Sequence, residues 1–278
     1  MTGRRPFFLF AALAFGYAFL YGPIASLIVY SFNASRLVTV WGGFSTRWYG
    51  ELFKNDQILS AAWLSLRVAA MNATASVVLG TLAGLALARF GRFRGRTLLS
   101  VMVSAPLVMP DVILGLASLL LFVAMEQLLG WPEGRGVSTI LLAHITFSAA
   151  YVTVVVQSRL SQMDVSVEEA AMDLGARPWK VFLVITLPII APALVSGWLL
   201  AFTLSLDDLV IASFVSGPGA TTLPMVVYSS VRLGLSPQIN ALATIIVAVV
   251  TTGILIAGWL MHQREERRLR DTQRAAVA

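Results

Sequence analysis

Four ionisable side chains lie inside otherwise apolar stretches of this sequence: Arg67, Asp111, Asp207 and Asp208. A charged group at the centre of a bilayer costs about 2.5–3.5 kcal/mol or more, so each is a candidate for function. Three carboxylates against one guanidinium leave a negative balance. In a narrow cleft of low dielectric, that balance attracts a cationic solute. The plainer alternative is an Arg67–Asp111 ion pair with the other aspartates at the membrane surface. Tyr228, in a later apolar segment, can face an organic ammonium by a cation–π contact worth about 0.5–2 kcal/mol, or sit in an interfacial aromatic belt. Metal chemistry finds little support. The chain has no cysteine, and its two histidines, His144 and His262, stand far apart with no ligand spacing around either. His144 reads as a helix-packing residue. No nucleophile–base constellation marks an enzyme.

A second informative stretch runs from Asp164 to Pro188. Ser166 and Glu169 have the spacing of a capping box, N-cap and N3. Ala170 and Ala171 favour helix and leave a surface open to close approach. Gly175 suits the left-handed position that stops a helix, and Pro178 suits the first turn of the next. Pro188 is expected to end that second segment before another apolar run. Local chemistry thus predicts two short helices joined by a tight turn. Taken alone, this is equally an ordinary amphipathic connector.

The elements that must position these groups are membrane helices. Of 278 residues, 58% are hydrophobic and 12% charged, where a soluble domain carries about 25% charged residues. The mean hydropathy is +0.81. Six apolar spans are expected, at about 7–31, 61–88, 98–125, 138–158, 189–212 and 239–261. Backbone polar groups cannot go unpaired in hydrocarbon, so these spans should be helices. The first follows Arg4-Arg5 and exceeds a signal-peptide core, so it reads as a retained span. No long polar linker interrupts the chain, which predicts one membrane domain over 1–278. The net charge of +6 does not point to nucleic acid, because the basic residues sit in short clusters between apolar runs. With the N-terminus inside, fourteen of the twenty Lys and Arg fall on the cytosolic side, including Arg89, Arg92, Arg94, Arg96, Arg177 and Lys180. That bias predicts an N-in, C-in, all-α fold with the Asp164–Pro188 hairpin in the cytosol.

At ~1.5 Å per helical residue, Arg67, Asp111, Asp207 and Asp208 all belong to the outer half of the membrane. Asp111 follows Pro106 and Pro110, and proline breaks helices. A broken span is tolerated where it lines a cavity, and Asp111 is placed to cap the restarted helix. The glycines and prolines of 214–228 predict an outer loop able to move, followed by a short helix. Trp41, Trp48 and Tyr49 in the loop 32–60 read as an interfacial aromatic belt.

Glu169-Ala170-Ala171, then Gly175, then Ile185, Leu187 and Pro188 follow a gapped pattern that resembles the EAA motif of ABC importer permeases. The resemblance implies a cytosolic coupling helix that docks in a groove on an ATPase subunit. Glu169, Ala170, Ala171 and Gly175 would carry that contact. It implies no cofactor on this chain, with ATP and Mg held by a separate ATPase homodimer. The sequence agrees, since neither Lys54 nor Lys180, its only lysines, follows a glycine as a phosphate-binding loop requires. Ser-Phe-Asn-x-Ser at 31–35, Thr-Arg-Trp-Tyr at 46–49, Ala-Pro-Leu-Val-Met-Pro-Asp-Val at 105–112 and the segment 205–217 resemble the polyamine branch of that family. The putrescine importers are nearest, and the spermidine/putrescine importers next. This likeness implies a bacterial inner-membrane complex with a second, homologous permease subunit and a periplasmic polyamine-binding protein. It also implies that Asp111, Asp207, Asp208 and Tyr228 guide a polyamine.

Overall fold

The computed structural model describes residues 4–37, 40–233 and 237–253, with 255, 259 and 263. Among the described residues every named element is helical, and extended pairing is limited to an isolated bridge between Asn33 and Phe44. Helices satisfy their own backbone, which is what a lipid solvent demands. Among the described residues, five helical segments are long and apolar enough to cross a membrane: Phe8–Ser31, Asp56–Arg89, Asp111–Leu129, Val137–Gln162 and Pro178–Leu206.

The expected third span is two helices, α4 (Arg96–Val108) and α5 (Asp111–Leu129). Pro106 is accommodated inside α4, and the break falls at Met109-Pro110, where Met109 is extended. The reason is local: Pro110 lacks a donor and disfavours helical geometry in the residue before it. Asp111 does not cap α5. Pro110 holds the N-cap position and Asp111 is the first helical residue, where its charge still complements the positive end of the helix dipole. The fifth span ends at Leu206, and a separate helix, α10 (Val210–Val215), follows. Of the sixth, the helix Pro237–Gly253 and residues 255 and 259 are described; the rest of it, His262 and the basic tail from Arg264 lie outside the described residues.

Two compact parts make up the chain. The first takes in 1–56 and 229–278, with α1 (Arg4–Ser31) and α2 (Arg47–Leu52). Its loop is knotted around Asn33, whose side chain donates to the Val40 carbonyl at 2.7 Å and accepts from the Gly42 N–H at 2.8 Å. The Trp48 indole N–H donates to the Asn33 carbonyl at 2.6 Å. Trp48 is therefore buried structure and not part of an interfacial belt, and Tyr49 pairs its hydroxyl with Ser31 at 2.7 Å. Trp41 remains exposed.

The second part, 57–228, holds α3 (Asp56–Arg89, from Gln57 on), α4, α5, α6 (Val137–Gln162), the hairpin, the fifth span and α10. One apolar cluster joins Phe122 of α5, Ile140 and Phe147 of α6, and Ile211 and Val215 of α10. A second joins Ala73 of α3, Val152, Val156 and Leu160 of α6, and Ile190 and Ala201 of the fifth span. Between them lies a polar clamp. The buried Asn72 side chain donates to the Ser148 hydroxyl at 3.1 Å and to the Ala201 carbonyl at 2.9 Å, tying three helices together. The segment after α10 is packed and not a free loop. The Thr139 hydroxyl donates to the Val215 carbonyl at 2.7 Å. A Cβ on Gly217 would collide with the Arg135 carbonyl oxygen, so only glycine lets the two backbones approach there.

Candidate functional site

At one end of the second part, the chain forms the expected hairpin: α7 (Ser166–Asp173), a turn, then α8 (Pro178–Val181). Gly175 adopts φ +86°, the left-handed region. The Gly175 N–H donates to the Met172 carbonyl at 2.9 Å and the Ala176 N–H to the Ala171 carbonyl at 3.1 Å. This is a Schellman stop, and it requires a residue without Cβ strain. The start of α7 differs from the expected capping box. Ser166 is the first helical residue, and no side-chain cap bond closes over it. Asp164 does the work instead, its carboxylate accepting the Ser166 N–H at 3.0 Å in an Asx turn. The Ser166 amide and hydroxyl together hold the Asp164 carboxyl below its ordinary 3.8.

Pro188 does not end the second helix. α8 runs through a π-turn, Phe182–Thr186, directly into α9 (Leu187–Leu206). The wider turn carries an i→i−5 bond, from the Leu187 N–H to the Phe182 carbonyl. The bulge lets the helix absorb a proline near its start in place of breaking.

Glu169, Ala170 and Gly175 are exposed on the hairpin, and Ala171 is half-buried. Around them stand large apolar side chains: Leu174 is 91% exposed and Trp179 62%. Leu174, Gly175, Trp179, Lys180 and Leu183 line a shallow concavity. Glu168 is different. It is buried, accepts the Thr186 hydroxyl at 2.6 Å, and forms a close ion pair with Arg89 at 2.8 Å. Sequence reasoning passed over Glu168. The signal was the doublet itself: successive helical residues point about 100° apart, so Glu168 and Glu169 cannot share a face.

At the opposite end, the acidic residues separate into two kinds. Asp111 and Asp207 are exposed, one opening α5 and the other closing α9. Asp207 lies close enough to Asp111 and to Asp208 to interact electrostatically with both. Asp208 is largely buried, with 8% of its side chain exposed. Its carboxylate accepts the backbone N–H groups of Ile211 at 3.2 Å and Ala212 at 2.7 Å, fixing the first turn of α10. It also meets His144 Nε2 at 3.1 Å, while His144 Nδ1 bonds the Ser205 hydroxyl at 2.7 Å. His144 is thus a buried packing residue, as expected, and Ser205 and His144 are members of this network that sequence reasoning did not connect. Tyr228, on α11 (Leu223–Leu233), is 47% exposed. Arg67 is exposed and lines a cleft with Gln57, Trp63 and Thr221. Among the described residues it forms no ion pair with Asp111, and none are grouped to hold a metal ion.

The family described as "binding-protein-dependent transport system inner membrane component" matches residues 76–270. That range takes in the hairpin and all three aspartates. Over 263 residues the chain is 63% identical to the Putrescine transport system permease protein PotI of Escherichia coli, covering 95% of this chain and 94% of the relative. It is 44% identical over 245 residues to the Spermidine/putrescine transport system permease protein PotC of the same organism, covering 88% and 90%. Among solved structures it is similar, at TM-score 0.71 and 17% identity, to a chain of a bacterial ABC transporter involved in the import of the acidic polysaccharide alginate, with 94% of this chain and 97% of the other covered. At such identity the similarity speaks to the fold alone. By the match over residues 76–270 and the identity to its relatives, the chain belongs to the binding-protein-dependent transport system inner membrane component family.

Proposed function

We propose that this chain is a permease subunit of an ATP-driven importer that moves a polyamine, putrescine above all, across the bacterial inner membrane. The observation that carries this reading is the 63% identity, over 95% of the chain, to a putrescine permease. The 44% identity to a spermidine/putrescine permease supports a second reading, in which spermidine is carried as well. The chain forms one permease domain with six spans, N-terminus and C-terminus in the cytosol; the Lys and Arg bias supports that orientation. The exposed hairpin faces the cytosol and docks on a separate ATPase homodimer, which holds ATP and Mg. Glu169, Ala170, Ala171 and Gly175 make that contact, and the apolar rim of Leu174 and Trp179 strengthens it.

A second, homologous permease completes the path, and a periplasmic binding protein delivers the solute. Asp111 and Asp207 offer carboxylates to the polyamine at two helix breaks, and Tyr228, half-exposed on α11, offers it an aromatic face. Asp208 belongs to the same acidic cluster and holds its geometry, since its oxygens are already engaged by His144, Ile211 and Ala212. Nothing in this scheme asks the chain to break a covalent bond.

Reconstitution of the full complex in proteoliposomes, with the binding protein and labelled putrescine, tests the reading. ATP-dependent uptake that unlabelled putrescine suppresses is expected, with spermidine as the second competitor. Uptake indifferent to ATP, or to both polyamines, would overturn it.

A further inference from the structure

We propose that Glu168, the neighbour of the docking residue Glu169, is the positioning residue through which motion of the hairpin reaches the membrane helices. The proposal rests on the reading of the hairpin as the ATPase contact.

A docked helix moves the spans only if something stiff connects them. The backbone on either side of α7 is loop: Met163 to Val165 before it and the Gly175 turn after it. Glu168 supplies the missing connection. One carboxylate oxygen lies 2.8 Å from Arg89 Nε, the other accepts the Thr186 hydroxyl at 2.6 Å, and the Glu168 and Arg89 side chains are only 12% and 13% exposed. Arg89 is the last residue of α3, and Thr186 closes the π-turn that leads into α9. One side chain therefore grips the end of α3 and the π-turn within the span Pro178–Leu206. Those helices are joined again further along, where Asn72 of α3 donates to the Ala201 carbonyl of α9. α9 then runs on to Asp207. A displacement of α7 thus acts on α3 and α9 as a pair, along a chain of named contacts that ends at the acidic cluster. A charge pair shielded from water resists separation, because a single partner left behind is poorly solvated. Among the described residues Glu169 makes no such connection, and it stays exposed for docking.

The full complex in proteoliposomes provides the test, reading putrescine moved per ATP hydrolysed. In Glu168→Gln, the amide oxygen still accepts from Thr186, but Arg89 loses its counter-charge. The expected result is a fall in that ratio of about tenfold, with hydrolysis continuing. Docking is read separately. The chain has no native cysteine, so Ala170→Cys can be cross-linked to a cysteine on the ATPase, and the cross-link should form equally with and without Glu168→Gln. A parental ratio in Glu168→Gln overturns the proposal. Absence of the cross-link in the otherwise unaltered chain overturns the docking reading instead. Should Glu168→Gln fail to assemble, Thr186→Val decides: it keeps the ion pair and the side-chain volume, is expected to lower the ratio about threefold, and an unchanged ratio refutes the idea.

Discussion

Each end of the second compact part carries a pair of adjacent carboxylates, Glu168-Glu169 at the hairpin and Asp207-Asp208 at the far end of α9. In each pair one member is buried and bonded while its neighbour is exposed. The order is reversed: the first is buried at the hairpin, the second at the other end. The partners also differ. Glu168 meets a guanidinium and a hydroxyl, which link it to two other helices. Asp208 meets an imidazole and two backbone N–H groups, which fix a local turn. The comparison separates two uses of a carboxylate near a membrane. The buried one sets the position of backbone, and the exposed one remains available to whatever binds there.

The largest effect should come from breaking that division at the far end. Asp208→Ala leaves two N–H groups of α10 and His144 without their acceptor. A loss of about 3–5 kcal/mol of stability is expected, read as a fall in Tm in detergent. Asp207→Asn and Asp111→Asn should stay within about 0.5 kcal/mol of the parent, as exposed substitutions do. Their effect belongs in transport: about tenfold lower putrescine uptake with the complex intact, the scale of a lost charge-assisted contact. If Asp207→Asn melts early while Asp208→Ala does not, the assignment of roles is reversed.

Glu169→Lys sharpens the comparison from the hairpin side. Its side chain is exposed, so Tm should be unchanged and membrane insertion normal. Stimulation of the ATPase by the loaded binding protein should drop about tenfold. Parental stimulation and uptake together would remove Glu169 from the contact. Asn72→Leu probes what lies between the two ends. Interhelical hydrogen bonds within membranes average about 0.6 kcal/mol and reach about 1.7, so a loss of about 1 kcal/mol is expected in unfolding titrations. A loss near zero would show that α3 and α9 are held by apolar packing alone.

Much of this arrangement was legible in the sequence because lipid narrows the choices. Apolar runs have to be helices, and Pro110 marks where one breaks. Gly175 announces a left-handed stop that nearly any other residue would strain. The hairpin's turn was legible because turn chemistry acts over a few neighbouring positions, but the expected Ser166 cap was not, since Asp164 opens α7 instead. What could not be read were the contacts made at a distance. Nothing local to Glu168 names Arg89, which lies almost eighty positions earlier, and nothing local to Asp208 names His144. Pro188 misled because a π-turn can absorb a proline, and that option is visible only once the helix is built. Trp48 misled because aromatic residues near a membrane surface usually face it, whereas here the indole N–H finds the Asn33 carbonyl.

The smallest effect, and the most specific, concerns Asp164. Its carboxyl is held below the ordinary 3.8 by the Ser166 amide first and the Ser166 hydroxyl second. A carboxylate whose pKa is lower in the folded state contributes stability at pH above its unfolded value. That contribution is lost as pH falls through the depressed folded value. Between pH 7 and pH 5 the start of α7 should therefore be unaffected. Below 3.8 it should loosen progressively. Protection of the Ser166 N–H from hydrogen exchange, corrected for the intrinsic rate, reads this directly. At pH 7, Asp164→Ala should exchange faster there than the parent, and the two should converge as the acid limit is approached. Because the group is fully exposed, the global Tm should hardly move, and the change should stay confined to the first turn of the hairpin. An equal difference at both pH values would mean that the Asx turn is held by geometry and not by charge.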